Sequence, residues 1–185
     1  MKLKFLIPCV VFLVAAFSAN AQNFALKTNV FYDATATVNL GAEIGLAPRW
    51  TLDISGNYNG WKVKDHLWKH AMVQPEARYW FCDRFQGHFL GFHALGGVYN
   101  TSLNILKKEP RDERYQGWGV GAGIAYGYAF ALGRHFNLEL ELGGGYIYTQ
   151  YDLYECEGCG RKVKEDVPYH YVGATKGAIN LVYVF

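Results

Sequence analysis

The sequence predicts an all-β fold, an eight-stranded antiparallel up-and-down transmembrane β-barrel with short periplasmic turns and long outer loops. Three observations predict it. Apolar residues recur with a period of two in eight segments, the gaps between segments alternate in length, and aromatics stand near both ends of several apolar faces. Composition agrees with this reading. Of 185 residues, 51% are hydrophobic and 17% aromatic, with 21 Gly and only 18% charged. A disordered chain needs low hydrophobicity and high net charge. A coiled coil needs Ala, Glu, Lys and Leu where this chain has Gly and aromatics.

The N-terminus reads as a signal peptide over residues 1–21, with the barrel in residues 22–185. Lys2 and Lys4 precede an unbroken apolar run, Phe5 to Phe17, and Ser18-Ala19-Asn20-Ala21 places small residues where a signal peptidase reads. The run is shorter than the roughly 20 residues a membrane helix needs. Cys9 lies inside the run, which argues against a lipoprotein anchor. Without Lys2 and Lys4, the 18 Lys+Arg fall to 16 and match the 16 Asp+Glu. A neutral chain is not a nucleic-acid binder of the basic-face kind.

The strands follow in order. The first runs from Phe24 to Tyr32 and the second from Asn39 to Ala47, and Pro48-Arg49 turns the chain into the third, Trp50 to Asn59. A longer gap, Gly60 to Ala71, precedes the fourth strand, Met72 to Phe81. Residues 82–86 connect it to the fifth, Gly87 to Tyr99. A polar gap, Asn100 to Gln116, leads to the sixth, Gly117 to Phe130. This uncharged stretch is a strand and no membrane helix, because Gly117, Gly119, Gly121 and Gly123 alternate with Trp118, Val120, Ala122 and Ile124. A turn near Gly133 opens the seventh, Phe136 to Thr149. The longest gap, Gln150 to Pro168, precedes the eighth, Tyr169 to Phe185.

Facing sets the polarity. Leu40, Ala42, Ile44 and Leu46 oppose Gly41, Glu43 and Gly45. Trp50, Leu52, Ile54 and Tyr58 oppose Thr51, Asp53, Ser55 and Asn57. Phe136, Leu138, Leu140, Leu142, Tyr146 and Tyr148 oppose Asn137, Glu139 and Glu141. In the eighth strand Tyr169, Tyr171, Ile179, Leu181, Tyr183 and Phe185 alternate with His170, Lys176 and Asn180. Aromatics near opposite strand ends, such as Trp50 and Tyr58 or Tyr169 and Tyr183, suit the two interfaces of a bilayer. The apolar face is therefore expected to meet lipid. The fifth strand is ambiguous, with Leu90, Phe92 and Ala94 competing against Phe89, Gly91 and Leu95. Pro75 conflicts with a closed ladder and predicts a bulge or local break.

The chain ends within an alternating strand, and Tyr183 and Phe185 resemble the C-terminal assembly signal read by the barrel-assembly machinery. In plan the chain resembles the eight-stranded OmpA/OmpX-type barrels. Leu26-Lys27-Thr28-Asn29, Gln74-Pro75-Glu76-Ala77-Arg78-Tyr79-Trp80-Phe81-Cys82, Gly87-His88-Phe89-Leu90-Gly91 and Tyr154-Glu155-Cys156-Glu157-Gly158-Cys159-Gly160 resemble a family catalogued as a domain of unknown function. That resemblance implies an outer-membrane barrel and supplies no activity.

The predicted interior holds a polar network of Lys27, Glu43, Asp53, Glu76, Arg78, Glu139, Glu141 and Lys176, with His93 and His170 nearby. Eight strands leave room for little beyond their own side chains, so the network reads as a plug and not a solute channel. Cys156 and Cys159 read as a small disulfide ring in the longest outer loop, metal binding being the lesser reading. Cys82, in a periplasmic turn, lies too far away to join them. His66 and His70 complete, on paper, a set of zinc ligands with that pair, but from loops across the mouth. No G-x-S-x-G is present, and Asp65-His66 is the one acid–base candidate at the rim. No catalytic residue, cofactor or metal is assigned.

The expected role is non-enzymatic: a barrel in the outer membrane of a Gram-negative cell, displaying loops for structural, adhesive or accessory work in an envelope assembly. Its partners are outer-membrane lipid, with loop Lys and Arg facing lipopolysaccharide phosphates, and other envelope proteins. Two alternatives are an outer-membrane lipid-modifying enzyme and a soluble periplasmic barrel carrying an apolar ligand.

Overall fold

The computed structural model describes residues 23–63, 66–102, 113–156 and 160–185. The expected signal peptide, residues 1–21, lies outside them. Its strands are β1 (Phe24–Asn29), β2 (Val38–Ala47), β3 (Trp50–Asn59), β4 (Lys62–Val63), β5 (His66–Trp80), β6 (Gly87–Thr101), β7 (Arg114–Ala131), β8 (Phe136–Tyr154) and β9 (Lys162–Val184). A single helical turn, α1 (Val30–Ala34), follows β1. Successive ring strands pair antiparallel, β3 with β5 past β4, and β1 closes on β9, while β4 is only a short flap on β5. The fold is all-β, eight antiparallel strands closed into an up-and-down ring.

Three sequence expectations change at the strand ends. The first strand stops at Asn29, and Val30 to Tyr32 enter α1 instead of extending the sheet. The Asn29 side chain accepts a hydrogen bond from the Phe31 amide (3.0 Å), an N-cap that takes the chain out of the extended state. The gaps predicted over Gly60–Ala71 and Gln150–Pro168 are mostly paired backbone, because β5 begins at His66, β8 runs to Tyr154 and β9 begins at Lys162. These extensions keep β-forming residues such as Trp68, Tyr151 and Val163 but lack apolar alternation, the property by which the strands were recognised. Pro75 produces a local break without a bulge. Its ladder to β3 is continuous, whereas pairing with β6 lapses between Val73↔Gly96 and Glu76↔His93 at unchanged register.

The fourth change is a bulge in β9. Gly143 pairs with Lys176 but Gly144 with Ala174, so Thr175 is an extra residue in β9. Beyond it the facing reverses. Tyr169 and Tyr171 share the inward register of Thr149 and Ile147, while His170 and Val172 (80% exposed) turn outward. Tyr169 and Tyr171 thus leave the expected outer face and His170 leaves the expected interior. The ambiguity in β6 resolves with Phe89 and Leu95 buried and Phe92 outside.

The outer surface is apolar. Leu40, Ile44, Val73, Phe92, Ile124, Leu142 and Val172 are all exposed. The apolar core sits inside, at the end of the short turns. Trp80, Phe85, Phe89, Ala25, Ala129 and Val182 pack together there, with Trp80 and Phe89 rings 4.7 Å apart. Phe85 enters from the β5–β6 turn in a left-handed conformation (φ 63°), and its carbonyl accepts from Asn137 Nδ2 at 2.5 Å.

Candidate functional site

Above that apolar plug the ring interior is ionic. Period-two alternation aims the charged residue of each strand at one level: Lys27 from β1, Glu43 from β2, Asp53 from β3, Glu76 and Arg78 from β5, Glu139 and Glu141 from β8, and Lys176 from β9. All eight predicted network residues come together. Every one of these side chains is at most 6% exposed.

Arg78 is the hub. Its Nε meets Glu76 at 2.5 Å, Nη1 meets Glu43 at 2.8 Å and Glu139 at 3.1 Å, and Nη2 meets Glu141 at 2.7 Å. Five N–H donors in a fixed fork suit this role, which a lysine ammonium cannot fill. Its guanidinium also stacks over the Phe89 ring at 4.5 Å, coupling the ionic layer to the apolar plug beneath. Lys27 pairs with Glu43, with Glu139 at 3.4 Å and with Asp53 at 3.5 Å. Lys176 pairs with Glu76 (2.5 Å) and Glu141 (3.3 Å).

Small residues make the space. A Cβ on Gly91 would lie 2.6 Å from the Glu76 carboxyl carbon, and one on Gly127 would collide with the Phe89 ring. The inward face of β7 (Gly123, Ala125, Gly127) thus yields room to Phe89, His93 and the long acidic side chains.

Thr51 and Thr175 were not among the network residues read from the sequence. Thr51 donates to Glu43 and accepts from Trp80 Nε1 at 2.9 Å, joining the two layers. His93 Nε2 is hydrogen-bonded to Thr175 Oγ1 at 2.8 Å, so the bulge residue closes one side of the cluster. Period-two alternation was enough to place Thr51 inside, whereas a bulge carries no such signal.

Beside the cluster lies a polar chamber of about 360 Å³, lined among others by Asp53, Ser55, Asn57, Gln74 and Lys176. Toward the long-hairpin end the interior widens into a cavity of about 530 Å³, where Trp68, Met72, Leu95, Ile147, Tyr169 and Tyr171 contribute to the wall.

At the end of the β8–β9 hairpin, Asp152 accepts from the Asp166 amide (3.0 Å) and pairs with Lys162 at 2.9 Å. The backbone hydrogen bond and then that ammonium hold its carboxyl below the usual carboxylate range. Cys156 is disulfide-bonded, while Cys159, its expected partner, lies outside the described residues. Cys82 is free and exposed. Asp65 and the His66 side chain also fall outside what is described. Among the described residues no group of three or more His, Cys, Asp or Glu is arranged to hold a metal ion. Tyr183 and Phe185 lie on the outer face with rings 5.0 Å apart, beside Phe136 and Phe24.

A family profile spans residues 7–185, nearly the whole chain. The chain belongs to the family described as "Protein of unknown function (DUF3575)". No curated protein and no solved structure matches it. The quoted sequence stretches fall within that span, and five of their residues (Lys27, Glu76, Arg78, Trp80 and Phe89) are buried in the two interior layers. It attaches no activity to them.

Proposed function

We propose that this chain is an integral outer-membrane β-barrel of a Gram-negative cell, exported by a cleaved signal peptide and similar in plan to OmpA/OmpX-type barrels. It is non-enzymatic and non-conducting, and its long-hairpin end serves structural, adhesive or accessory roles in an envelope assembly. One observation carries the reading: polarity is inverted. Eight charged side chains are buried at the centre, while Leu40, Ile44, Ile124, Leu140, Leu142 and Leu181 are exposed. Water strongly disfavours both halves of that arrangement, and hydrocarbon around the ring favours both.

Dimensions support it. Trp50 and Tyr58 stand eight residues apart on one outer face, roughly 26 Å along the strand at about 3.3 Å per residue. A tilt of about 40° reduces this to roughly 20 Å, close to the height of a membrane barrel's apolar band. Trp50, Tyr79, Phe136 and Tyr183 mark one rim and Tyr58, Trp118 and Tyr146 the other. Among the described residues no helix is long and apolar enough to cross a membrane; on this reading the strands make the crossing. Arg78, Glu43, Trp80 and Phe89 are wholly buried across the interior, which argues for a plug. Tyr183 and Phe185 are proposed as the signal for the barrel-assembly machinery, and lipid and lipopolysaccharide as the surrounding partners.

Cell fractionation and gel mobility test this. The expected result is recovery in outer membranes after carbonate and urea washing, with a folded band that shifts on boiling. Recovery as a soluble periplasmic protein overturns the proposal.

A further inference from the structure

The buried cluster is not electrically balanced. Facing it are Lys27, Glu43, Asp53, Glu76, Arg78, His93, Glu139, Glu141 and Lys176, from every ring strand except β7, whose inward residues there are Gly and Ala. Three fixed cations meet five carboxylates, an excess of two negative charges when His93 is neutral. The excess has a location. Asp53 Oδ1, Glu139 Oε1 and Glu141 Oε1 are buried oxygens that accept no hydrogen bond. Lys27 stands 3.5 Å from the first and Lys176 3.3 Å from the third, while Glu139 Oε1 has no ion pair among the described residues. His93 Nδ1, 3.8 Å from Glu76, is likewise without a hydrogen-bond partner. Burial strongly opposes uncompensated charge.

We propose that this cluster is a binding site for compensating monovalent positive charge, one or two protons or alkali cations drawn from solvent through the adjoining chamber. The chamber supplies the route. It holds about 360 Å³, enough for roughly a dozen waters at about 30 Å³ each. Asp53 lines it, and so does Asn57, whose buried amide oxygen is also without a hydrogen-bond partner. Monovalent charge fits better than a divalent metal, since no group of three or more His, Cys, Asp or Glu among the described residues is arranged to hold a metal ion. Arg78, Lys27, Lys176 and Thr51 already occupy both oxygens of Glu43 and Glu76 and one oxygen of Glu139, leaving single oxygens of Glu139, Glu141 and Asp53 without a hydrogen bond. The inference concerns the interior alone and goes beyond the membrane reading.

The test uses the folded full-length mature protein in detergent micelles at neutral pH. Infrared difference spectra against Asp53→Asn, Glu139→Gln and Glu141→Gln read protonated carboxyls. Unfolding in sodium, potassium and choline chloride at equal ionic strength reads alkali cations. The expected result is either a protonated-carboxyl signal that one of these variants removes, or a folding equilibrium at least about tenfold more favourable in sodium or potassium than in choline. The first outcome assigns protons and the second an alkali ion. If Glu139→Gln and Glu141→Gln fail to fold, Asp53→Asn alone carries the comparison, because Asp53 borders the chamber. Five ionised carboxylates together with equal stability in all three salts overturn the proposal.

Discussion

Removing the guanidinium of Arg78 is the sharpest perturbation of this interior. In Arg78→Met the side chain keeps its length and apolar stem, but Glu43, Glu76, Glu139 and Glu141 lose a partner that stood within 3.1 Å of each. Breaking a buried ion pair by deleting one member costs about 3–5 kcal/mol, because the abandoned charge stays buried. Four carboxylates share this one group, and without it Lys27 and Lys176 must each serve two of them, one cation to two buried carboxylates, so the loss is expected near about 5 kcal/mol. At about 1.4 kcal/mol per decade, that shifts the folding equilibrium by roughly 10³ to 10⁴. Urea-dependent tryptophan fluorescence of the protein in lipid vesicles measures it, since Trp80 reports on the adjoining layer. Adding Glu43→Gln and Glu139→Gln to Arg78→Met should recover part of the loss. A loss below about 1 kcal/mol, or no recovery on neutralising the carboxylates, refutes the hub assignment.

Leu142 lies on the outer face at 76% exposure, and Leu142→Arg is expected to cost about 2–4 kcal/mol in bilayers, as a cation facing mid-membrane lipid does. Unchanged vesicle stability would count against lipid on that face. Gly91→Ala pushes a methyl against a Glu76 carboxylate pinned by Arg78 and Lys176. Overpacking of that kind costs about 1–3 kcal/mol, measurable by the same urea titration. At the hairpin end, the carboxyl of Asp152 titrates lower folded than its ordinary 3.8. Its contribution is therefore complete above that value and lost as pH falls below it. Hydrogen exchange at the Asp166 amide should accelerate in that acid window and not at neutral pH.

The ring was legible in the sequence because a closed antiparallel sheet with one polar and one apolar face imposes strict alternation. Glu43, Asp53, Glu139 and Glu141 each stand between apolar neighbours, so their common facing follows from parity alone. Arg78 and Glu76 were readable the same way despite Pro75, since the break costs ladder bonds on the β6 side but no residue in register. Parity fails where a residue is added. Thr175 inverts the facing of the residues before it as far as Val167, where the register shifts again, and Tyr169, His170 and Tyr171 were misassigned for that reason. The hairpin arms of β8 and β9 were missed for another reason. Lys162, Lys164, Glu165 and Asp166 pair in water, where neither face needs apolar side chains. The Phe85 contribution to the plug depends on one left-handed turn residue, and non-glycine residues carry little sequence signal for that conformation.

The ionic layer explains a property that the apolar exterior cannot supply. On the proposed membrane reading, a strand that slips by one residue turns its polar face to lipid and is rejected. A slip by two keeps every apolar residue outside and is invisible to the bilayer. The interior distinguishes them. Shifting β2 by two residues against β1 and β3 replaces Glu43 with Gly41 or Gly45 at the level of Lys27 and Arg78, emptying the position that binds Lys27, Thr51 and Arg78 at once. Shifting β8 by two so that Glu141 takes the level of Glu139 leaves Arg78 Nη2 without its hydrogen-bond acceptor. Each carboxylate has distinct partners on different strands, so the two-residue slips are penalised separately, strand by strand. Hydrophobic facing selects the side of each strand, and the buried charges select its register.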